Sequence, residues 1–231
     1  MWPSPEGHFA AYAPRMRQLA SNEAVAPVTL EGRNVRLEPL SMDHVEALAA
    51  AAAESRDTYG WTFVPEGIEG AREYVAAALD LGEKRQAVPF ATVALASGRV
   101  VGSTRFATFE YHGWPPASPH YRGEGVPDAV EIGWTWLAAS AQRTPINTEA
   151  KWLMLRHAFT SWRVLAVRLN TDRRNERSRT AIKRIGGRLD GILRANRMGA
   201  DGAVRDSAAY SIIESEWPAV DAALRERLAR S

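Results

Sequence analysis

The spacing of hydrophobic positions along this chain changes period several times, and each change marks an element. Val35 and Leu37 alternate with Arg36 and Glu38, so residues 28–39 read as a first strand or hairpin with one buried face. From Ser41, a suitable N-cap with Asp43 in the turn after it, the spacing predicts a helix over residues 42–54. A second helix is expected over 69–82, where Gly82 ends it. The period then shortens to two. Residues 89–95 and 100–109 read as a hairpin around the Ser97-Gly98 turn. Residues 111–128 are rich in proline and glycine and form a long loop. Its aromatics Tyr111, Trp114 and Tyr121 suit a substrate wall or simple loop packing equally.

A strand follows at 131–137, then a polar turn at 142–148 opening a helix that runs to 162. A strand at 164–172 leads to Asn175, which opens a helix reaching Gly186. Two strands near 188–194 and 207–213, with a glycine-rich turn at 199–202, precede a terminal helix over 219–230. Residues 1–27 carry prolines at 3, 5, 14 and 27 and a short helix pattern at 15–23, and read as an appendage. The domain proper is then 28–218, with 219–231 as a C-terminal helix. The order β, α, α, β, β, β, α, β, α, β, β describes an α/β domain around a mixed sheet.

Composition narrows the classes. With 45% hydrophobic and 24% charged residues, the 231-residue chain can bury an ordinary globular core. The absence of cysteine removes disulfides, thiol nucleophiles and thiolate metal sites, and fits a reducing, cytoplasmic setting. Apolar runs such as 47–53 are too short to span a bilayer, and the N-terminus lacks the pattern of a secretory signal. No His, Asp or Glu cluster has metal-ligand spacing, so no metal is expected. The net charge of +2 argues neither for nor against a polyanionic partner, yet basic residues crowd one region. Arg168, Arg173, Arg174, Arg177, Arg179, Lys183, Arg184, Arg188, Arg194, Arg197 and Arg205 suit nucleic acid, the phosphates of a nucleotide cofactor, or a solvated face.

The chemistry is expected between residues 131 and 187. A strand that empties through a short polar turn into a helix leaves backbone N–H groups unpaired, a setting for phosphate or pyrophosphate. Here the turn reads Gln142-Arg143-Thr144-Pro145-Ile146-Asn147, followed by Thr148-Glu149-Ala150. A second junction reads Asn175-x-x-Ser178, followed by Ala181-Ile182 and Ile185-Gly186. Leu189-Asp190-Gly191 and Leu193-Arg194 lie beyond it.

Over residues 29–218 these motifs, in this order, resemble the GCN5-related N-acetyltransferases (GNAT), and within them the RimJ/RimL-type branch. The resemblance implies a mixed, mostly antiparallel central sheet with a splayed pair of parallel strands, flanked by helices. It implies acetyl-CoA as cosubstrate and direct attack, in a ternary complex, by a primary amine of a protein N-terminus or a small molecule. By the same resemblance Gln142, Arg143, Thr144, Ile146, Asn147 and Thr148 would surround the pyrophosphate. Trp134, Thr135 and Trp136 would supply backbone to the pantetheine and thioester. Asn175 would bind the pantetheine, Ser178 would act as general acid, and Glu131 as base. Asn175 equally suits a helix N-cap, and Asp206 and Glu149 are rival bases. His112 and His120 could meet substrate, whereas His157 fits a structural place in its helix.

Two residues depart from the pattern. Pro145 stands in place of a family glycine and has no N–H, although proline is favoured in a first helical turn behind a cap such as Thr144. Asn147 replaces a small residue. A rival reading is therefore a non-catalytic domain of the same fold that binds CoA, RNA or a protein through its arginine-rich half. Homodimerisation is left open, and neither nucleic acid nor membrane is the favoured partner.

Overall fold

The computed structural model describes residues 25–230, so the helix expected at 15–23 lies outside the described residues. Its sheet consists of β1 (Leu30–Glu31), β2 (Val35–Pro39), β3 (Ala87–Ala94), β4 (Arg99–Glu110), β5 (Ala129–Leu137), β6 (Ala166–Asp172), β7 (Arg188–Met198) and β8 (Val204–Ile213). The strands lie in the order β1-β2-β3-β4-β5-β6-β8-β7. Every pairing is antiparallel except that of β5 with β6. The helices are α1 (Val45–Ala53), α2 (Gly67–Glu83), α3 (Pro145–His157), α4 (Glu176–Arg184) and α5 (Trp217–Ala229). The mixed, mostly antiparallel sheet expected from the sequence is the one that forms.

Helices cover both faces of the sheet, which is why β3 is buried along its whole length. Neighbouring residues of β4 show the two sides. Thr104 meets Lys151 and Met154 of α3, while Arg105 lies against Tyr74 of α2. On the α3 side Phe106 packs edge-on against Phe90 and Trp162, with ring centroids 5.9 and 4.6 Å away. Such pairs contribute about 0.5–1.5 kcal/mol each beyond the area they bury. Among the described residues no helix is long and apolar enough to cross a membrane.

Element boundaries differ from the sequence reading where long-range contacts decide them. The helix expected to reach 162 is α-helical only to His157, and a π-helical turn over Ala158–Trp162 completes it. That wider turn sets Trp162 against both Phe106 and Phe109. Strand β7 runs past its expected end near 194, as far as Met198. Its register against β8 shifts between Leu193 and Arg197, where Ala195 takes φ 48° and its N–H donates to Asp206 Oδ1. Periodicity cannot register such a bulge, because the extra residue breaks the alternation on which the reading depends.

Candidate functional site

The site is built where the sheet parts. Parallel pairing of β5 with β6 covers only Ala129–Glu131 against Ala166–Arg168. Beyond it β5 keeps hydrogen bonds with β4 alone, and β6 with β8 alone. The β5 backbone past Glu131 therefore presents an unpaired edge in the middle of a sheet. A bulge sharpens the opening. Ser103 faces Trp136 but Arg105 faces Gly133, which leaves one extra residue on β5, and Trp134 adopts φ 50°. A left-handed backbone at a bulky tryptophan costs about 1–3 kcal/mol and persists only when its surroundings impose it. Close approach of the strands helps to impose it: a Cβ on Gly102 would lie 2.1 Å from the Trp136 carbonyl oxygen, so only glycine fits there.

Two strand–helix junctions flank the opening. After β5, Arg143 is exposed with φ 61°, Thr144 caps α3, and Pro145 occupies the first turn. Thr144 Oγ1 donates to the Ala141 carbonyl at 2.7 Å and accepts from the Ile146 N–H at 3.3 Å. The Ile146 amide is thus engaged by the cap. Asn147 and Thr148 are half-buried in the same turn. After β6, Asn175 caps α4 by accepting the Ser178 N–H at 3.0 Å, while the Ser178 hydroxyl bonds to no described residue. Gln142 ties the junctions together. Its amide nitrogen donates to the Leu137 carbonyl and Thr58 Oγ1, both at 2.9 Å, and its oxygen accepts from Arg177 of α4 at 2.9 Å.

The strand residues divide by face. Trp136 is buried edge-on against Tyr59 and Tyr74, so its indole belongs to the core and only its backbone can serve the opening. Thr135 turns to the α3 side, where its hydroxyl and that of Thr104 accept from the Lys151 ammonium at 2.6 and 2.8 Å. Among the described residues no carboxylate joins them, and burial lowers the Lys151 pKa from 10.5 to about 7. Trp134 projects outward, with the guanidinium groups of Arg105 and Arg197 at 5.2 and 5.8 Å from its ring.

Glu131 is buried and bonded through both oxygens to Arg197, at 2.8 and 3.3 Å. The rival bases are occupied elsewhere. Glu149 accepts the N–H groups of Arg33, Asn34 and Val35 and so fastens the β1–β2 turn to α3. A Cβ on Gly32 would lie 2.6 Å from the Glu149 carboxyl carbon. Asp206 pairs with Arg173 at 3.4 Å and holds the β7 bulge. His157 packs among Phe106 and Trp162, and burial lowers its pKa. In the long loop, Asp128 gathers the His112 N–H, the Trp114 indole and Arg122, so Trp114 is engaged in loop packing.

Sequence reasoning missed Arg105 and Lys151, and saw Arg197 and Arg205 only as members of a basic run. A charged residue inside an otherwise apolar strand or helix pattern was the available signal for the first two.

Several known proteins share this architecture. No curated protein matches the sequence. A 27%-identical GCN5-related N-acetyltransferase from Brucella melitensis superposes with a TM-score of 0.73 over 87% of this chain and 86% of its own. A protein from T. thermophilus assigned to the acetyltransferases is 33% identical, with a TM-score of 0.69 over 87% and 97% of the two chains. Mycobacterium smegmatis RimJ, solved in complex with CoA-disulfide, has the same fold at 20% identity, with a TM-score of 0.71 over 88% and 96%. The family model of the acetyltransferase (GNAT) domain matches residues 34–188, more than half of the chain, and covers both junctions and the parted strands. The protein therefore belongs to the GNAT acetyltransferase family.

Proposed function

We propose that this protein transfers the acetyl group of acetyl-CoA to a primary amine by direct attack within a ternary complex. The observation that carries the reading is the parting of β5 from β6, with two capped helix N-termini bonded side by side at its mouth through Gln142 and Arg177. Residues 142–148 fit the phosphate end. Arg143 is exposed beside a helix start, Gln142 and Arg177 are at hand, and Pro145 removes only a donor that the first turn does not use. The unpaired β5 edge fits an extended amide-bearing arm as an added strand would.

Acetyl-CoA would supply the activated acyl group, and the chain would supply position and proton transfer. As the amine nitrogen bonds to the acyl carbon and the carbon–sulfur bond breaks, Glu131 accepts the amine proton directly or through water. Arg197 holds that carboxylate in place. Backbone around Trp134 polarises the carbonyl, and the Ser178 hydroxyl, unspent in the fold, donates to the leaving sulfur. The rival reading of an RNA-binding module loses support because the arginines are largely engaged within the fold. Arg168 pairs with Glu110, Arg173 with Asp206, Arg174 with Asp172 and Asp201, Arg188 with Glu216, and Arg197 with Glu131.

The test is thermal stabilisation by acetyl-CoA but not by ATP, together with CoA release over a panel of amines and peptides. Absence of both stabilisation and release would overturn the reading.

A further inference from the structure

Cations outnumber the anions available to them in the cleft around Trp134. Arg105 is only 4% exposed, stacks 5.4 Å from the Tyr74 ring and 5.2 Å from the Trp134 ring, and its Nε has no hydrogen-bond partner. Arg205 faces Arg197 across the β7–β8 ladder, and its buried Nε and one terminal nitrogen are likewise unpartnered. The nearby carboxylates are committed. Glu131 is held by Arg197, and Asp172 accepts both the backbone N–H and the guanidinium of Arg174. Arg174 also pairs with Asp201 at 2.9 Å and lies over Trp61, 4.2 Å from its ring centre. Among the described residues neither Arg105 nor Arg205 has a carboxylate at ion-pair distance.

Arginine does not discharge by losing its proton. Arg205 feels the charges of Asp172 and Glu131, but both carboxylates are already bonded to other guanidinium groups, so its buried nitrogens stay unsatisfied unless a ligand reaches them. The cofactor phosphates are poorly placed to do so. Their junction begins beyond Leu137, and Arg105 stands opposite Gly133, four positions and roughly 13 Å of extended chain earlier. Resting on the reading of this cleft as the acceptor site, we propose that the acceptor amine carries a carboxylate or phosphate of its own, which Arg205 and Arg105 bind while Glu131 faces the nitrogen. The outward-facing Trp134 ring supplies an apolar surface beside it. Spermidine-like polyamines, which bring only positive charge, are disfavoured by the same arrangement.

The experiment compares matched pairs at equal ionic strength: β-alanine against β-alaninamide, ethanolamine phosphate against ethanolamine, and the peptide Ala-Glu-Ala against Ala-Gln-Ala, with spermidine alongside. Thermal shift in the presence of CoA reads binding, and CoA release from acetyl-CoA reads turnover. At least one anionic member should stabilise the protein and exceed its neutral partner about tenfold or more in kcat/KM. Which pair responds separates carboxylate from phosphate and free amine from peptide. Arg205→Gln should remove that preference by raising KM with little change in kcat, and Arg205→Lys should restore part of it. Equal response within every pair, preference for spermidine, or a preference untouched by Arg205→Gln would overturn the proposal. Selective stabilisation without any CoA release would leave the anion site standing and overturn the acetyltransferase reading instead.

Discussion

Two buried cationic regions sit back to back on the β4–β5 ladder, and they are handled differently. On the α3 side, the Lys151 ammonium meets, among the described residues, only the hydroxyls of Thr104 and Thr135. On the α2 side, Arg105 lies between Tyr74 and Trp134, with Arg197 and Arg205 close by. Lysine can escape the cost of burial by becoming neutral, and its pKa of about 7 reflects that escape. Arginine cannot, so its region stays charged at every working pH. The first region is closed on itself by two oxygens of the protein, while in the second buried nitrogens of Arg105 and Arg205 stay unpartnered. Buried charge alone therefore does not mark a functional site. An unsatisfied charge beside an opening does.

The contrast can be broken at several points. The largest effect is expected at Glu149, the buried charge of α3 that is fully satisfied. Glu149→Ala strands three backbone N–H groups and should cost about 3 kcal/mol, read as a shift in the denaturant midpoint. Acetyl-CoA binding by the remaining folded protein should change little, since the loss lies at the β1–β2 turn.

Next comes Glu131. Glu131→Gln removes the proton acceptor and leaves Arg197 without its carboxylate, so the rate of acetyl transfer should fall about 100-fold. Acetyl-CoA affinity should be nearly unchanged. Steady-state CoA release beside calorimetric binding would check both, and undiminished turnover would remove Glu131 from the mechanism.

Lys151 carries a pH dependence. Below about pH 7 both folded and unfolded states hold its proton. Between about 7 and its ordinary value of 10.5 the unfolded state holds a proton that the native state has released. Stability should therefore rise with pH across that window, by on the order of a few kcal/mol in this contribution. Denaturant melts at pH 7 and pH 10 should show the rise in the native protein and a flatter profile in Lys151→Met. Identical slopes in the two would mean that the ammonium is better accommodated than its two hydroxyl partners suggest.

The smallest effect is expected at Ser178. Ser178→Ala removes a hydroxyl that the fold does not use, so stability should hold while CoA release slows about tenfold. Activity equal to that of the native protein would transfer the acid role to solvent.

Much of the frame could be read along the chain. The strand–turn–helix at Gln142–Thr148, the Asn175 cap and the return to strands after Gly187 follow from local pattern and capping chemistry. Thr144 and Asn175 act as caps because their short oxygens reach backbone N–H groups two or three residues ahead, a purely local geometry. The alternation of Val35 and Leu37, both buried, likewise needs only neighbours in sequence. Local pattern also placed Glu131 on a central strand and Ser178 one turn into α4.

What the sequence by itself determined, then, is the succession of elements and the residues that start them, because those depend on interactions spanning a few residues. Tertiary structure alone decided which charges are spent. Glu149 became the clasp of a turn more than a hundred residues away, and Trp136 went to the core while Trp134, two positions earlier, turned outward through a bulge. It also left buried guanidinium nitrogens of Arg105 and Arg205 without a hydrogen-bond partner near the parted strands. Those outcomes depend on register and on distances across the sheet, which no period along the chain encodes.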